Sequence, residues 1–182
     1  MNVLRRYVRL VDGFNYGLGR VMMFGIFVLM GILLYSSMNK AFFTPRLWTL
    51  EMAQFVMVGY YILGGPYAMQ MGANVRMDLF YGEWSMRKKS WIDCFTVFFL
   101  IVYLVILLWG GIESTSYSFK YGGERSSSPW RPYMWPIKVT MCVGIALMLL
   151  QALSELAKDI IFLRTGEKVG RFHHGERQGD AL

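Results

Sequence analysis

Apolar residues along the chain gather into four blocks separated by polar connectors. Positions 21–38, 47–70, 91–112 and 134–153 are nearly free of charge: of 19 Lys and Arg and 12 Asp and Glu in the chain, they hold only Glu51, Asp93 and Lys138. Each block approaches the roughly 20 residues that cross a bilayer core as a helix. The pattern predicts an all-α integral membrane protein with four transmembrane helices, at about 21–41, 47–70, 91–112 and 134–156, and excludes a soluble domain with a single core. Three regions follow: residues 1–20, a transmembrane domain over 21–165, and a polar tail over 166–182 that lacks the apolar content to fold.

Ahead of the first block, Val3, Leu4, Tyr7, Val8, Leu10, Val11, Phe14 and Leu18 recur at helical spacing on one arc, with Arg5, Arg6, Arg9 and Asp12 on the other. This predicts a cytoplasmic amphipathic helix lying on the inner membrane surface. The same arginines also read as an ordinary basic flank that sets topology, and the two readings do not exclude each other. The first block is longer than a signal-peptide h-region, and Ser36, Ser37, Met38 and Asn39 make no A-x-A-like cleavage site, so it is read as a retained span.

Thr44 and Pro45 predict the N-cap and first turn of the second span. Within it Gly64, Ala68 and Gly72 fall at i, i+4 and i+8, a stripe without bulk that another helix can approach, and Pro66 beside Gly64 and Gly65 predicts a kink. Such a surface fits docking to another protein or packing inside the chain's own helices equally well. Ser90 with Asp93 three positions on is a capping-box pattern for the third span. The connector from Glu113 to Tyr133, with Gly122, Gly123, Ser126, Ser127, Ser128, Pro129 and Pro132, is turn-rich and without helical period. Pro136 can begin the fourth helix, which meets no breaker before Gly166.

Composition agrees with the pattern: 55% of residues are hydrophobic and 17% charged, against roughly 25% charged in a soluble domain. The formal charge of +7 would suit nucleic acid if it formed one patch, but the basic residues flank the apolar blocks, so no nucleic-acid partner is expected. Connectors 1–20, 71–90 and 154–182 hold 13 Lys and Arg against five in 39–46 and 113–133. By the positive-inside rule both termini and the 71–90 loop face the cytoplasm, and membrane lipid is the first partner. Cys94 and Cys142 sit at depths too different for a disulfide.

The histidines, His173 and His174, lie in the tail, so a bis-histidine haem between the spans is excluded. No C-x-x-C, P-loop, G-x-G-x-x-G, G-x-S-x-G or H-E-x-x-H occurs. No enzyme, metal site or cofactor is expected. Ionisable groups at membrane depth are costly and so are functional candidates. Lys138 stands in the first turn of its helix, where the dipole disfavours a cation, and Glu51 lies at similar depth. An interhelical Glu51–Lys138 pair is one expectation, and snorkelling of each to the interface the other. Glu51 as a proton-coupling carboxylate is a third role.

An acidic residue opening span two (Glu51) is followed by Gly64-Gly65-Pro66-Tyr67-Ala68, then Asn74-Val75-Arg76-Met77-Asp78-Leu79, the Ser/Pro-rich loop, Trp135-Pro136-Ile137-Lys138 and Gly144. In order and spacing, over nearly all of residues 15–165, the chain resembles the small membrane subunit of tripartite ATP-independent periplasmic (TRAP) transporters, the DctQ-type family. Two departures stand out: Asn74 where the family often has histidine, and Cys142-Val143 where a proline often precedes the glycine of span four.

The resemblance implies a multi-pass subunit of the bacterial inner membrane that neither catalyses nor binds substrate. It braces a large, DctM-type permease subunit in a sodium-coupled importer of organic anions (carboxylates) fed by a periplasmic, DctP-type receptor. Carried over by position, Glu51, Gly64, Gly65, Pro66, Ala68, Arg76, Asp78 and Pro136 are candidates for structure or subunit contact, and Gly72 of the small-residue stripe and Lys138 of the expected ion pair join them. Glu113, Lys120, Glu124, Arg125 and Arg131, on the outward connector, are candidates for receptor docking. The competing expectation is a self-contained, proton-coupled exporter working as a homodimer.

Overall fold

The computed structural model describes residues 2–42, 44, 46–72, 86–121 and 124–165. Five helices run through them: α1 Asn2–Met22, α2 Gly25–Phe42, α3 Trp48–Gln70, α4 Met86–Lys120 and α5 Trp135–Thr165. Among the described residues there is no strand, only an isolated antiparallel bridge between Arg125 and Tyr133. Three segments are long and apolar enough to cross a membrane: Leu4–Phe42, which takes in α1 and α2, Trp91–Lys120, and Trp135–Leu163. The 23-residue α3 is not among them.

Several boundaries differ from those the sequence suggests. Helix α3 starts at Trp48 after Leu47, with no side-chain cap; the Thr49 hydroxyl instead donates to the Arg46 carbonyl at 2.9 Å. Thr44 is therefore not the cap, and Pro45 lies outside the described residues. Helix α4 begins at Met86, so Asp93 stands about two turns inside it and is not part of a capping box at its start. The same helix runs on to Lys120 and takes Glu113 and Lys120 out of the connector. Ser114 to Phe119 contain no Gly or Pro, and nothing local stops the helix before Tyr121 and the glycines that follow it in sequence. Helix α3 ends at Gln70, and Gly72, with φ of +66°, is the left-handed residue that closes it, its N–H donating to Met69 O at 3.2 Å. Gly72 is thus a terminator, not the third member of a small-residue stripe.

The helices form an open row. Helix α5 packs against α4 on one side and α3 on the other, α3 packs against α2, and α1 lies across both α3 and α5. Helices α2 and α4 share no packed face, so the row does not close into a four-helix bundle. Its core is thin, built on Leu104, Ile145 and Ala152, with Leu100, Leu108 and Met148 around them. Outward faces of α2 (Phe27, Leu34) and α4 (Phe95, Trp109) are exposed and apolar. Lipid satisfies such faces, so they need no partner helix.

Close approach within the row rests on glycines that receive α3 side chains. A Cβ at Gly144 would overlap Ile62, one at Gly19 would overlap Tyr67, and one at Gly25 would stand 2.8 Å from Tyr60 Cβ. A Cβ at Gly65 would stand 3.1 Å from the Met148 sulfur, whereas one at Gly64 would meet nothing within 4 Å among the described residues. Small residues let backbones approach where water expulsion does not drive association.

Candidate functional site

Polar side chains concentrate at the two ends of the row. At the end carrying the α2–α3 and α4–α5 connections, Lys138 in the first turn of α5 is ion-paired to Glu124. Its Nζ donates to Ser118 Oγ at 2.8 Å, and Ser118 Oγ donates to Glu124 Oε2 at 3.0 Å. The cation that the helix dipole disfavours has thus found an acid, but it is Glu124 and not Glu51. The expected Glu51–Lys138 tie is corrected: a loop residue between α4 and α5 reaches Lys138 with less reorganisation than one anchored in another helix. Glu124 is pulled below its ordinary carboxylate value, chiefly by the Lys138 hydrogen bond, then by Ser118.

The connector is folded around this tie. Met134 N–H donates to Glu124 O at 2.9 Å and Ser126 N–H to Pro132 O at 3.0 Å. The Arg125 guanidinium lies 4.7 Å from the Tyr133 ring centroid and donates to its hydroxyl at 2.7 Å. Arg131 turns the chain with φ of 50°, its N–H donating to Ser128 O at 3.2 Å. Of the residues considered for receptor docking, Glu113 and Lys120 are exposed on α4, Arg131 is exposed at the turn, and Glu124 and Arg125 are already engaged.

Beside this connector, Glu51 is buried in the first turn of α3, and neither carboxylate oxygen has a hydrogen-bond partner among the described residues. The first turn of a helix favours an anion, but by less than burial costs it. Next to it Ser36 and Thr49 share a hydrogen bond of 2.9 Å that ties α2 to α3.

At the opposite end, α1 is held by a buried polar network that the sequence reading did not find. Asp12 Oδ1 accepts from Gln151 Nε2 at 3.1 Å and from Ser154 Oγ at 3.0 Å. Its Oδ2 is ion-paired to Lys158 at 2.8 Å, and Lys158 also pairs with Glu155 at 2.7 Å. Asn15 Nδ2 donates to Gln151 Oε1 at 2.7 Å, and Gln70 Nε2 donates to the Asp12 carbonyl at 3.1 Å. Three helices therefore meet at Asp12 of α1, α5 on its carboxylate and α3 on its backbone carbonyl. Asp12 is not on a solvated face beside Arg6 and Arg9. It belongs to the buried stripe Val8, Asp12, Asn15, Gly19, while Leu10 and Phe14 of the apolar arc are exposed. The signal was present: Gln151, Ser154, Glu155 and Lys158 fall at i, i+3, i+4 and i+7, one polar face on an otherwise apolar helix.

Pro66 is fully buried inside α3, Ala68 is half-buried, and Pro136 is exposed in the first turn of α5. Arg76 and Asp78 lie outside the described residues.

Residues 29–161 match the family described as tripartite ATP-independent periplasmic transporters, DctQ component. The chain belongs to the DctQ family. No curated protein and no solved structure matches it. As a DctQ component it is the small component of a TRAP transporter, a family not known as catalytic; the family implies association with DctM and DctP components, and together with the apolar helices it points to the bacterial inner membrane for this chain.

Proposed function

We propose that this DctQ component is a static brace for the large permease subunit of a sodium-coupled importer of organic anions, chiefly carboxylates, delivered by a periplasmic receptor. The observation that carries the reading is the open row of helices, tied by charge at both ends, with apolar faces left uncovered on α2 and α4. A flat, cross-tied slab widens the immobile half of a transporter, against which a moving half can slide. On this reading α2, α3, α4 and α5 are the four spans, both termini face the cytoplasm, and α1 lies at the inner surface, clamped by Asp12. Helix α3, not among the three segments apolar enough to cross by themselves, is a span because neighbours on both sides shield it from lipid. Gly64, with open space beside it, is offered as a contact to the large subunit, together with Ala68. The inner-loop residues Arg76 and Asp78 are offered on the family pattern alone. Gly65, Pro66, Gly72, Pro136 and Lys138 are assigned to holding the row. Glu113, Lys120 and Arg131 are the side chains offered to the receptor, whereas Glu124 and Arg125 shape the loop that presents them.

Liposomes test it. The chain by itself should leave an organic-anion gradient undisturbed, and uptake should appear when the large subunit and receptor are added with sodium. Transport by the chain in isolation, driven by a proton gradient and lost in Glu51→Gln, would replace this reading with a homodimeric exporter.

A further inference from the structure

Beneath the Ser-rich connector, at the loop end of the row, lies a cleft of about 430 Å³ whose wall includes Glu51, Lys40, Arg46 and Gln54 together with Ser126 and Ser128. Two facts about its charges stand apart. Glu51 is only 9% exposed, and both of its oxygens are cut off from water without any donor. Burial of a carboxylate without a partner costs more than the favourable end of a helix dipole returns. The cation expected to meet it, Lys138, is committed to Glu124. Meanwhile Lys40 and Arg46, both exposed, form no ion pair among the described residues.

We propose that this cleft holds the headgroup of an amine-bearing phospholipid, with Glu51 receiving its ammonium and Lys40 and Arg46 its phosphate. One acid set deep and two bases set outside it make a dipole, which a zwitterion of opposite order complements. Leu47, Leu50 and Phe55 line the same cleft, and Leu47 and Leu50 are exposed, so an apolar wall runs from the headgroup towards the acyl region. A small soluble zwitterion would satisfy the charges and waste that wall. A primary ammonium donates three hydrogen bonds and reaches Glu51 by a rotation of the Glu51 side chain. A quaternary ammonium donates none. The phosphate accepts from the guanidinium and the lysine, with the Ser126 and Ser128 hydroxyls beside it.

The inference rests on the chain lying in a membrane and not on which partner it joins. The full-length chain is reconstituted into nanodiscs containing equal amounts of ethanolamine, choline and glycerol phospholipids, then released into detergent for native mass spectrometry. One ethanolamine phospholipid should stay with each chain, preferred over choline phospholipid by about tenfold, the worth of one charge-assisted hydrogen bond. Glu51→Gln should abolish that preference while phospholipid is still retained. Lys40→Ala combined with Arg46→Ala, at exposed positions that leave the fold intact, should weaken retention of every phospholipid. Equal retention of ethanolamine and choline lipids by the unmodified chain would overturn the proposal, as would a preference surviving Glu51→Gln or retention unchanged in the rim variant. Displacement of the lipid by millimolar free phosphoethanolamine would overturn its lipid half. None of these results bears on bracing, since no partner is present, and transport by the chain alone would leave headgroup preference untouched.

Discussion

Asp12 shows how much one side chain can be asked to hold. Its carboxylate is the meeting point of Gln151, Ser154 and Lys158, and its own carbonyl takes Gln70. Asp12→Ala leaves a lysine that is 14% exposed with only one of its two acids, Glu155, and strips Gln151 and Ser154 of their acceptor; leaving a buried polar group unsatisfied costs about 1–3 kcal/mol. The expected outcome is a clearly lower Tm in detergent and protease sensitivity confined to α1. Asp12→Leu with Lys158→Met, which removes both charges, should recover much of that loss. Glu124 is the exposed counterpart. Its carboxyl is held below the ordinary value of 4.5 by Lys138, so the charged form is the one the fold favours. The tie is therefore complete above pH 4.5 and is lost as the pH falls through the lowered value. Hydrogen exchange at the Met134 amide, bonded to Glu124 O, should accelerate over that acid window and not between pH 6 and 8. In Glu124→Gln the acid step should vanish.

At the scale of helices, fit is set by where bulk is missing. Gly144 takes Ile62 so closely that a methyl group would press on its side chain and stand 3.2 Å from its carbonyl carbon. Gly144→Ala must push α3 and α5 apart, at about 1–3 kcal/mol for overpacking, and should lower Tm in the isolated chain. Gly64→Ala meets open space and should leave that Tm unchanged. If the proposed contact is right, the same substitution weakens co-purification of the large subunit, and unimpaired co-purification would remove Gly64 from the interface. The apolar blocks were legible because membrane helices must be apolar over a fixed length, and α5 runs from Trp135 to Thr165 without a breaker in its sequence. Helix ends were less legible. Helix α4 overran the capping box at Ser90 and Asp93 at one end and the connector at the other, since local capping signals are weak beside the propensity of the residues on either side of them.

For the whole molecule, the row must be oriented before it can brace anything. With both termini inside, a cysteine placed at Ser127 in a chain freed of Cys94 and Cys142 should label from the outside of right-side-out vesicles, and one at Gly13 only after permeabilisation. Reversal of that pattern would overturn the proposed topology and with it any receptor contact through the α4–α5 connector. Composition and block length by themselves determined that the chain is helical and apolar enough for a membrane, because a backbone in lipid must satisfy its own hydrogen bonds and a helix does so locally. Motif order along the chain likewise carried the family, since it needs no knowledge of contacts. Pairings between distant residues were decided only by tertiary structure: Asp12 with Lys158, Lys138 with Glu124 in place of Glu51, and α2 held apart from α4 in an open row. In lipid an apolar helix face is satisfied with or without a neighbour, so hydrophobicity does not say which faces meet. The polar ties and the glycine sockets choose the neighbours, and each of them depends on two positions far apart in the chain reaching the same point in space.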